Sequence, residues 1–219
     1  MKLKDYEYYR TDLGVLYCGD CLEIMKLLLD KSVDLVITDP PYGLGKDGQK
    51  ECKYKNPKHN RKAYDFLGWD NGIPRKSVFE HMFRISRNQI IWGGNYFVEY
   101  LKSSMGWLVW DKGQDLNQSD CELAYTSFNK ALKRTVINRA FIRIDGAEHP
   151  TQKPLKLIKW CIRYAEQTNI ILDPFLGSGT TAVACEQLGR RWIGIEISEK
   201  YCEIAKQRIK AEADQVKLL

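Results

Sequence analysis

Apolar positions along this chain fall into short runs separated by Gly, Pro, Asp and Asn, and the runs alternate between two spacings. Val33-Asp34-Leu35-Val36-Ile37-Thr38 is almost continuously apolar, the character of a strand covered on both faces. Leu13–Cys18, Gln89–Trp92, Trp107–Trp110, Glu122–Thr126, Asn169–Leu172 and Trp192–Ile195 predict six further strands. Helical spacing predicts Cys21–Leu29, with Asp20 as N-cap and Glu23 in capping-box register. A second capping pattern, Ser77-Val78-Phe79-Glu80, opens a helix to about Arg87. Pro154 suits the first turn of a helix to about Gln167, which carries Leu155, Ile158, Cys161, Ile162 and Ala165 on one face. Thr180–Leu188, stopped by Gly189, and the amphipathic stretch Ser198–Ala213 complete the set. Strands alternating with helices predict an α/β fold built on a doubly wound sheet. The aperiodic segment Gly43–Arg75 is too long for a mere connection and reads as a substrate-facing loop.

Two of the predicted strands end in distinctive turns. Asp39-Pro40-Pro41-Tyr42 follows the first apolar run, and Asp173-Pro174-Phe175-Leu176-Gly177-Ser178-Gly179-Thr180 follows Asn169–Leu172. Both would lie at the carboxyl edge of a parallel sheet, where open α/β folds bind ligands. Gly177 and Gly179 permit a tight turn and a close approach of main chain to ligand. Glu196 stands 19 positions after Gly177, where dinucleotide folds place the acid that takes ribose hydroxyls, so the pattern points to a nucleoside. Ala182 replaces the third fingerprint glycine, which leaves a nicotinamide dehydrogenase open, whereas no Gly-Lys-Ser/Thr follows to make a P-loop.

The 219 residues, 44% of them apolar, suit a single domain over 1–219 with a full core. No apolar run is long enough to cross a membrane, and the first residues lack the core of a secretory signal, so a cytoplasmic protein is expected. Seven scattered cysteines predict reduced, mostly buried thiols, and Cys18-Gly19-Asp20-Cys21 lacks a second pair to make a zinc site. His59, His81 and His149 are isolated, and Trp92, Trp107, Trp110 and Trp160 read as core, with Trp69 in the long loop as the exception. The net charge of +6 is modest but clustered. Lys50, Lys53, Lys55, Lys58, Arg61 and Lys62 face the single acid Glu51 within 49–62, and Lys130, Lys133, Arg134, Arg139 and Arg143 face none within 128–144. For charge runs of this kind a solvated surface is the plain alternative to nucleic-acid contact.

In combination, Asp39-Pro40-Pro41-Tyr42 and the Phe175-to-Gly179 turn resemble the motifs of S-adenosylmethionine-dependent DNA amino-methyltransferases of the adenine-N6 type, over most of the chain. The resemblance implies a Rossmann-like doubly wound methyltransferase sheet. The tetrad precedes the cofactor motif, which in that family marks a circularly permuted order, with the helix near Pro154 leading into the first strand of the cofactor half. It implies S-adenosylmethionine as cofactor and no metal. Phe175, Gly177, Ser178 and Gly179 would wrap its methionine end beside Asp173 and Thr180, Glu196 would take the ribose, and Asp20 would contact the adenine, with helix capping as the competing role. The segment His149-Pro150-Thr151-Gln152-Lys153-Pro154 is similar to another motif of the family and makes Lys153 a candidate partner for the cofactor's carboxylate.

In the catalytic half, an exocyclic amine is a poor nucleophile because its lone pair is delocalised into the ring. The Asp39 carboxylate and the Pro40 carbonyl would accept its hydrogens and favour a tetrahedral nitrogen, Pro40 and Pro41 would stiffen the turn, and Tyr42 would stack on a flipped base. In-line displacement at the methyl carbon would follow, driven by orientation and electrostatics. DNA contacts would come from Lys53, Lys55, Lys58, Arg61 and Lys62 and from Lys133, Arg134 and Arg139, within the candidate DNA-facing segments 43–75 and 112–148. The latter is too short for a large target-recognition insert, so recognition would rest on the loop, on a homodimer or on a separate recognition subunit. Membership of a restriction-modification system fits the resemblance, and so does a place in a mobile element. Cytosine-N4 or RNA adenine methylation is the alternative within the same chemistry, and a catalytically silent nucleic-acid-binding subunit is the alternative of another class.

Overall fold

Val33, Leu35, Val36 and Ile37 are all buried, and the strand they form is the hinge of the architecture. The computed structural model describes residues 1–45, 48, 70–114, 119–138, 141 and 152–216. These contain β1 (Glu7–Arg10), β2 (Gly14–Cys18), α1 (Cys21–Lys26), β3 (Val33–Thr38), α2 (Lys76–Ile85) and β4 (Ser86–Trp92). β5 (Trp107–Asp111), β6 (Cys121–Thr126), β7 (Lys133–Val136), α3 (Leu155–Tyr164), β8 (Ile170–Asp173), α4 (Thr180–Gln187), β9 (Arg191–Glu196) and α5 (Glu199–Val216) follow.

The strands form one sheet in the order β1-β2-β9-β8-β3-β4-β6-β5-β7. Its five central strands, β2, β9, β8, β3 and β4, run parallel, so their carboxyl ends share one edge. β1 and β6 add antiparallel to either side, while β7 pairs parallel with β5. One buried cluster gathers Leu35, Ile37, Ile90, Leu108 and Trp110 under α3, α4 and α5, including Leu157, Cys161, Ala184 and Ile209. The other gathers Val33, Val36 and Ile91 under α1 and α2, through Ile24, Met25, Phe79 and Met82. Helices therefore cover both faces, which is the doubly wound arrangement the apolar runs of β3 and β8 demand. α3 leads directly into β8, in keeping with the permuted motif order.

Local signals account for most boundaries and fail at a few. Asp20 caps α1, accepting from Leu22 N at 2.7 Å and Glu23 N at 3.3 Å. Glu23 pairs with Lys26 at 2.7 Å. At α2 the capping reading is wrong: the helix begins at Lys76 after Arg75 in an extended conformation, so Ser77 already lies inside it and makes no cap. That helix also ends at Ile85, because Ser86 is extended (φ −115°, ψ 156°) and starts β4, which takes Arg87 into the sheet. α3 stops short of Gln167, where Glu166 turns left-handed at φ 54°. Strands β1 and β7, Glu-Tyr-Tyr-Arg and Lys-Arg-Thr-Val, lie outside the predicted set. Three of the described cysteines, Cys161, Cys185 and Cys202, are buried, whereas Cys121 is exposed and Cys18 and Cys21 are half-buried.

Candidate active site

The carboxyl ends of β2, β3, β4, β8 and β9 surround one cavity of about 990 Å3. The turn after β8 forms its floor. Asp173 is buried and accepts from Thr38 Oγ1 at 2.8 Å, Thr181 Oγ1 at 2.7 Å and Phe175 N at 3.1 Å. Burial pushes its carboxyl up to about 6 against those hydrogen bonds. Gly177 and Gly179 take positive φ, 54° and 88°, and a Cβ on Gly179 would stand 3.0 Å from that of Ala205 on α5. Glu196 accepts from Gly177 N and from Ser198 N, each at 2.8 Å, so it fastens the turn as well as lining the cavity. Burial raises this carboxyl too.

Sequence reasoning missed the clamp beneath this turn. Arg208 of α5 donates to Ser178 O at 2.6 Å, to Ser178 Oγ at 2.8 Å and to Thr180 Oγ1 at 3.3 Å. Ser178 Oγ in turn donates to Gln152 Oε1 at 2.8 Å, joining the turn to the segment ahead of α3. Position 208 carries no motif, only a place on an amphipathic helix.

The turn after β3 forms the opposite wall. Asp39 accepts from the Tyr42 hydroxyl through Oδ1 and from Lys153 Nζ through Oδ2. Lys153 Nζ also lies 3.2 Å from Glu122 Oε2, and Glu122 Oε1 lies 3.0 Å from Lys112 Nζ. Burial drives the Asp39 carboxyl above its ordinary value, with Lys153 pulling the other way. Burial opposes the charge on Lys153, but Asp39 and Glu122 overcome it and raise the ammonium. Burial followed by the Asp39 charge holds Tyr42 well above the usual phenol range. The Tyr42 ring stacks on Tyr96, centroids 4.7 Å apart and planes 17° apart, with Phe97 edge-on at 5.9 Å. Gly93 sits left-handed at φ 70°, and a Cβ there would lie 2.1 Å from Tyr42 Cε1.

Most of the residues singled out from the sequence meet here. Asp39, Pro41, Asp20, Lys153, Asp173, Phe175, Gly177, Ser178, Thr180 and Glu196 line the cavity. Pro40 is buried, and Tyr42 and Gly179 stand behind the lining. Lys153 lines the cavity with its ammonium paired to Asp39 and Glu122. Lys53, Lys55, Lys58, Arg61, Lys62, Arg139 and Trp69 lie outside the described residues. The described ends of the long loop are pinned together: Gly43 N donates to the buried Asp70 at 2.8 Å, and Asn71, Gly72, Ile73, Pro74 and Arg75 form the cavity mouth. Lys133 is exposed on β7, Arg134 pairs with Asp111 at 3.5 Å, and Lys130 is tied to Glu166 at 2.8 Å. His81 accepts from Arg84 Nε at 3.2 Å on α2, far in role from the cavity. Among the described residues no cluster of side chains could hold a metal ion, and no helix is long and apolar enough to cross a membrane.

A family model for DNA methylases, covering N6 and N4 enzymes, matches residues 101–207. The type II methyltransferase M2.MboI of Moraxella bovis is 30% identical over 95% of this chain and 92% of its own length. M.HpaI of Haemophilus parainfluenzae, also a type II methyltransferase, is 28% identical over 90% of this chain and 74% of its own. Among solved structures, that of the M1.HpyAVI complex with S-adenosylmethionine superposes with a TM-score of 0.58 at 25% identity, covering 90% of this chain and all of that one.

Proposed function

We propose that this chain, which belongs to the DNA methylase family, transfers a methyl group from S-adenosylmethionine to the exocyclic N6 amine of adenine in DNA. The observation that carries this reading is the meeting of two turns at one cavity: Asp39 and Pro41 of the turn after β3, and Phe175, Leu176, Gly177 and Ser178 of the turn after β8. The cavity fits the cofactor. Its volume of about 990 Å3 lies within the range of small-molecule sites. The backbone of Gly177 leaves no side chain between turn and ligand, and two acids, Asp20 and Glu196, line the cavity as acceptors for hydroxyl and amine donors of a nucleoside.

Phe175, Gly177 and Ser178 would hold the cofactor, with Asp173 keeping the turn in shape. S-adenosylmethionine, when bound, supplies a methyl group on a sulfonium for direct in-line displacement. The Asp39 carboxylate and the Pro40 carbonyl accept hydrogen bonds from the substrate amine and so free its lone pair. Consecutive prolines keep the turn stiff, without N–H donors that would compete for the amine. For Tyr42 to stack on the base, its ring, which packs on Tyr96 behind the lining, has to turn toward the cavity, and the base has to leave the duplex to reach this depth. None of these steps calls on a covalent enzyme intermediate. The family model is named for both amines, so cytosine-N4 transfer by the same apparatus is the second reading. DNA contacts fall to the loop 43–75 and to segment 112–148, which includes β6 and β7, within a single methyltransferase domain.

The test is transfer from labelled S-adenosylmethionine to unmethylated DNA and to RNA, with product nucleosides identified by mass spectrometry. Deoxy N6-methyladenosine supports the proposal. N4-methylcytosine replaces it by the second reading, a ribonucleoside product moves the substrate to RNA, and tight cofactor binding without transfer points to a silent or partner-dependent subunit.

A further inference from the structure

Lys153 donates to Asp39 Oδ2, lies 3.2 Å from Glu122 Oε2 and reaches the Tyr42 hydroxyl at 3.5 Å. The ammonium hydrogen-bonds Asp39 and the Tyr42 hydroxyl and pairs with Glu122 by charge alone, since Glu122 Oε2 is buried without a hydrogen-bond partner. The side chain is also buried, so it does not swing freely toward another anion. Glu122 is held from its far side by Lys112, itself buried and anchored to Ser119 O at 2.9 Å. A row of alternating charges thus runs from the end of β5 through β6 and the segment ahead of α3 to the turn after β3.

We propose that Lys153 and Glu122 are positioning residues for amine activation: Lys153 keeps Asp39 ionised and aimed, and Glu122 limits how tightly Lys153 grips it. This inference rests on the methyltransferase reading and reassigns Lys153 from the cofactor's carboxylate to the Asp39 carboxylate. The physical need is plain. Asp39 is sunk in a wall that favours its neutral form, and a protonated carboxyl is a much weaker acceptor for the amine hydrogen than a carboxylate. A cation in contact reverses that preference. Left alone, the same cation would compete with the amine for Oδ2, and a second carboxylate on its other side weakens that hold. The charged and titratable groups facing Asp39 are Tyr42 on its own turn, Lys153 ahead of α3, Glu122 of β6 with Lys112 behind it, and Asp173 of β8.

The two residues act on Asp39 with opposite sign, and the experiment exploits this. Turnover at saturating DNA and S-adenosylmethionine is followed against pH, and cofactor dissociation constants are measured by calorimetry, for the wild type, Lys153→Met and Glu122→Gln. Lys153→Met is expected to move the acid limb of kcat up by about one pH unit or more. Glu122→Gln is expected to move it down, by about half a unit, because the remaining cation then acts on Asp39 alone. Both variants should bind cofactor within about threefold of wild type, and Lys153→Arg should keep the wild-type limb. If Lys153→Met does not fold, the near-isosteric Glu122→Gln carries the sign test by itself. An active wild type whose limb is unmoved in Glu122→Gln, or moved the same way in both variants, overturns this inference alone. So does a tenfold loss of cofactor affinity in Lys153→Met at an unchanged limb. A wild type that binds no S-adenosylmethionine overturns the methyltransferase reading together with it.

Discussion

Thr38 and Asp173, 135 positions apart in the chain, share a buried hydrogen bond of 2.8 Å across the junction of β3 and β8. Thr38 is the residue before Asp39, and Asp173 opens the glycine turn. The catalytic turn and the cofactor turn are therefore fastened to each other at their roots, one strand spacing apart. Thr38→Val keeps the shape and removes the donor. The expected result is a loss of about 1–2 kcal/mol in chemical denaturation, the cost of a buried acceptor stripped of one partner. A neutral result would mean that the junction is set by packing alone.

Asp173 also predicts how stability varies with pH. Its folded value of about 6 lies above that of an ordinary carboxyl, so the native state holds the proton more tightly than the unfolded chain. Its contribution is fully present below about pH 4 and is lost as pH rises through about 6, on the order of 3 kcal/mol. Asp173→Asn, which cannot ionise, should lack this decline. Urea midpoints from pH 4 to 7 that run parallel in wild type and variant would contradict it.

Asp39→Ala is expected to lower turnover by roughly a thousandfold, the scale of losing a main electrostatic contact in a transition state. The cofactor's dissociation constant should stay within about threefold. The reverse pattern, lost binding with surviving turnover, would take Asp39 out of the catalytic half.

At Gly93 a single carbon has nowhere to go. Gly93→Ala puts a Cβ 2.1 Å from Tyr42 Cε1 on a left-handed backbone. The expected outcome is a displaced Tyr42, seen as turnover reduced by about tenfold or more together with a weaker fold. Wild-type kinetics in this variant would show that the Tyr42 ring position is not needed.

Arg208→Ala should loosen the turn over Ser178 and Thr180 and raise the cofactor's dissociation constant by about tenfold, the worth of one charged hydrogen bond. The acid limb of turnover should stay in place, since the hydrogen bonds of Arg208 serve the turn after β8 and not the one that carries Asp39. Unchanged affinity on calorimetry would make the clamp purely structural.

The parallel centre of the sheet was legible because buried strands leave near-continuous apolar runs, as in Val33–Thr38. β1 and β7 were not. Glu7-Tyr8-Tyr9-Arg10 and Lys133-Arg134-Thr135-Val136 are edge strands, with one rim in water, and their charges read as loop or as a basic patch. In the site, Asp39, Asp173 and Glu196 announced themselves through turns that follow strands. Glu122 did not, because it lies in the more exposed first half of β6, where a charged position looks solvent-facing. The partners that make it part of the cavity wall, Lys112 and Lys153, come from elsewhere in the chain. Lys153 was found by motif, but only the fold shows which anion it serves.

Asp39, Glu122, Lys112 and Lys153 carry two charges of each sign, so the cluster is neutral as a whole. A neutral, largely enclosed set of ion pairs responds weakly to ionic strength, whereas attraction to a polyanion collapses as counterions compete. Raising salt from about 50 to 200 mM should then leave kcat nearly level while KM for DNA climbs steeply. The wall that prepares the amine and the surface that captures the duplex would part company along a salt axis, so one titration reads them separately.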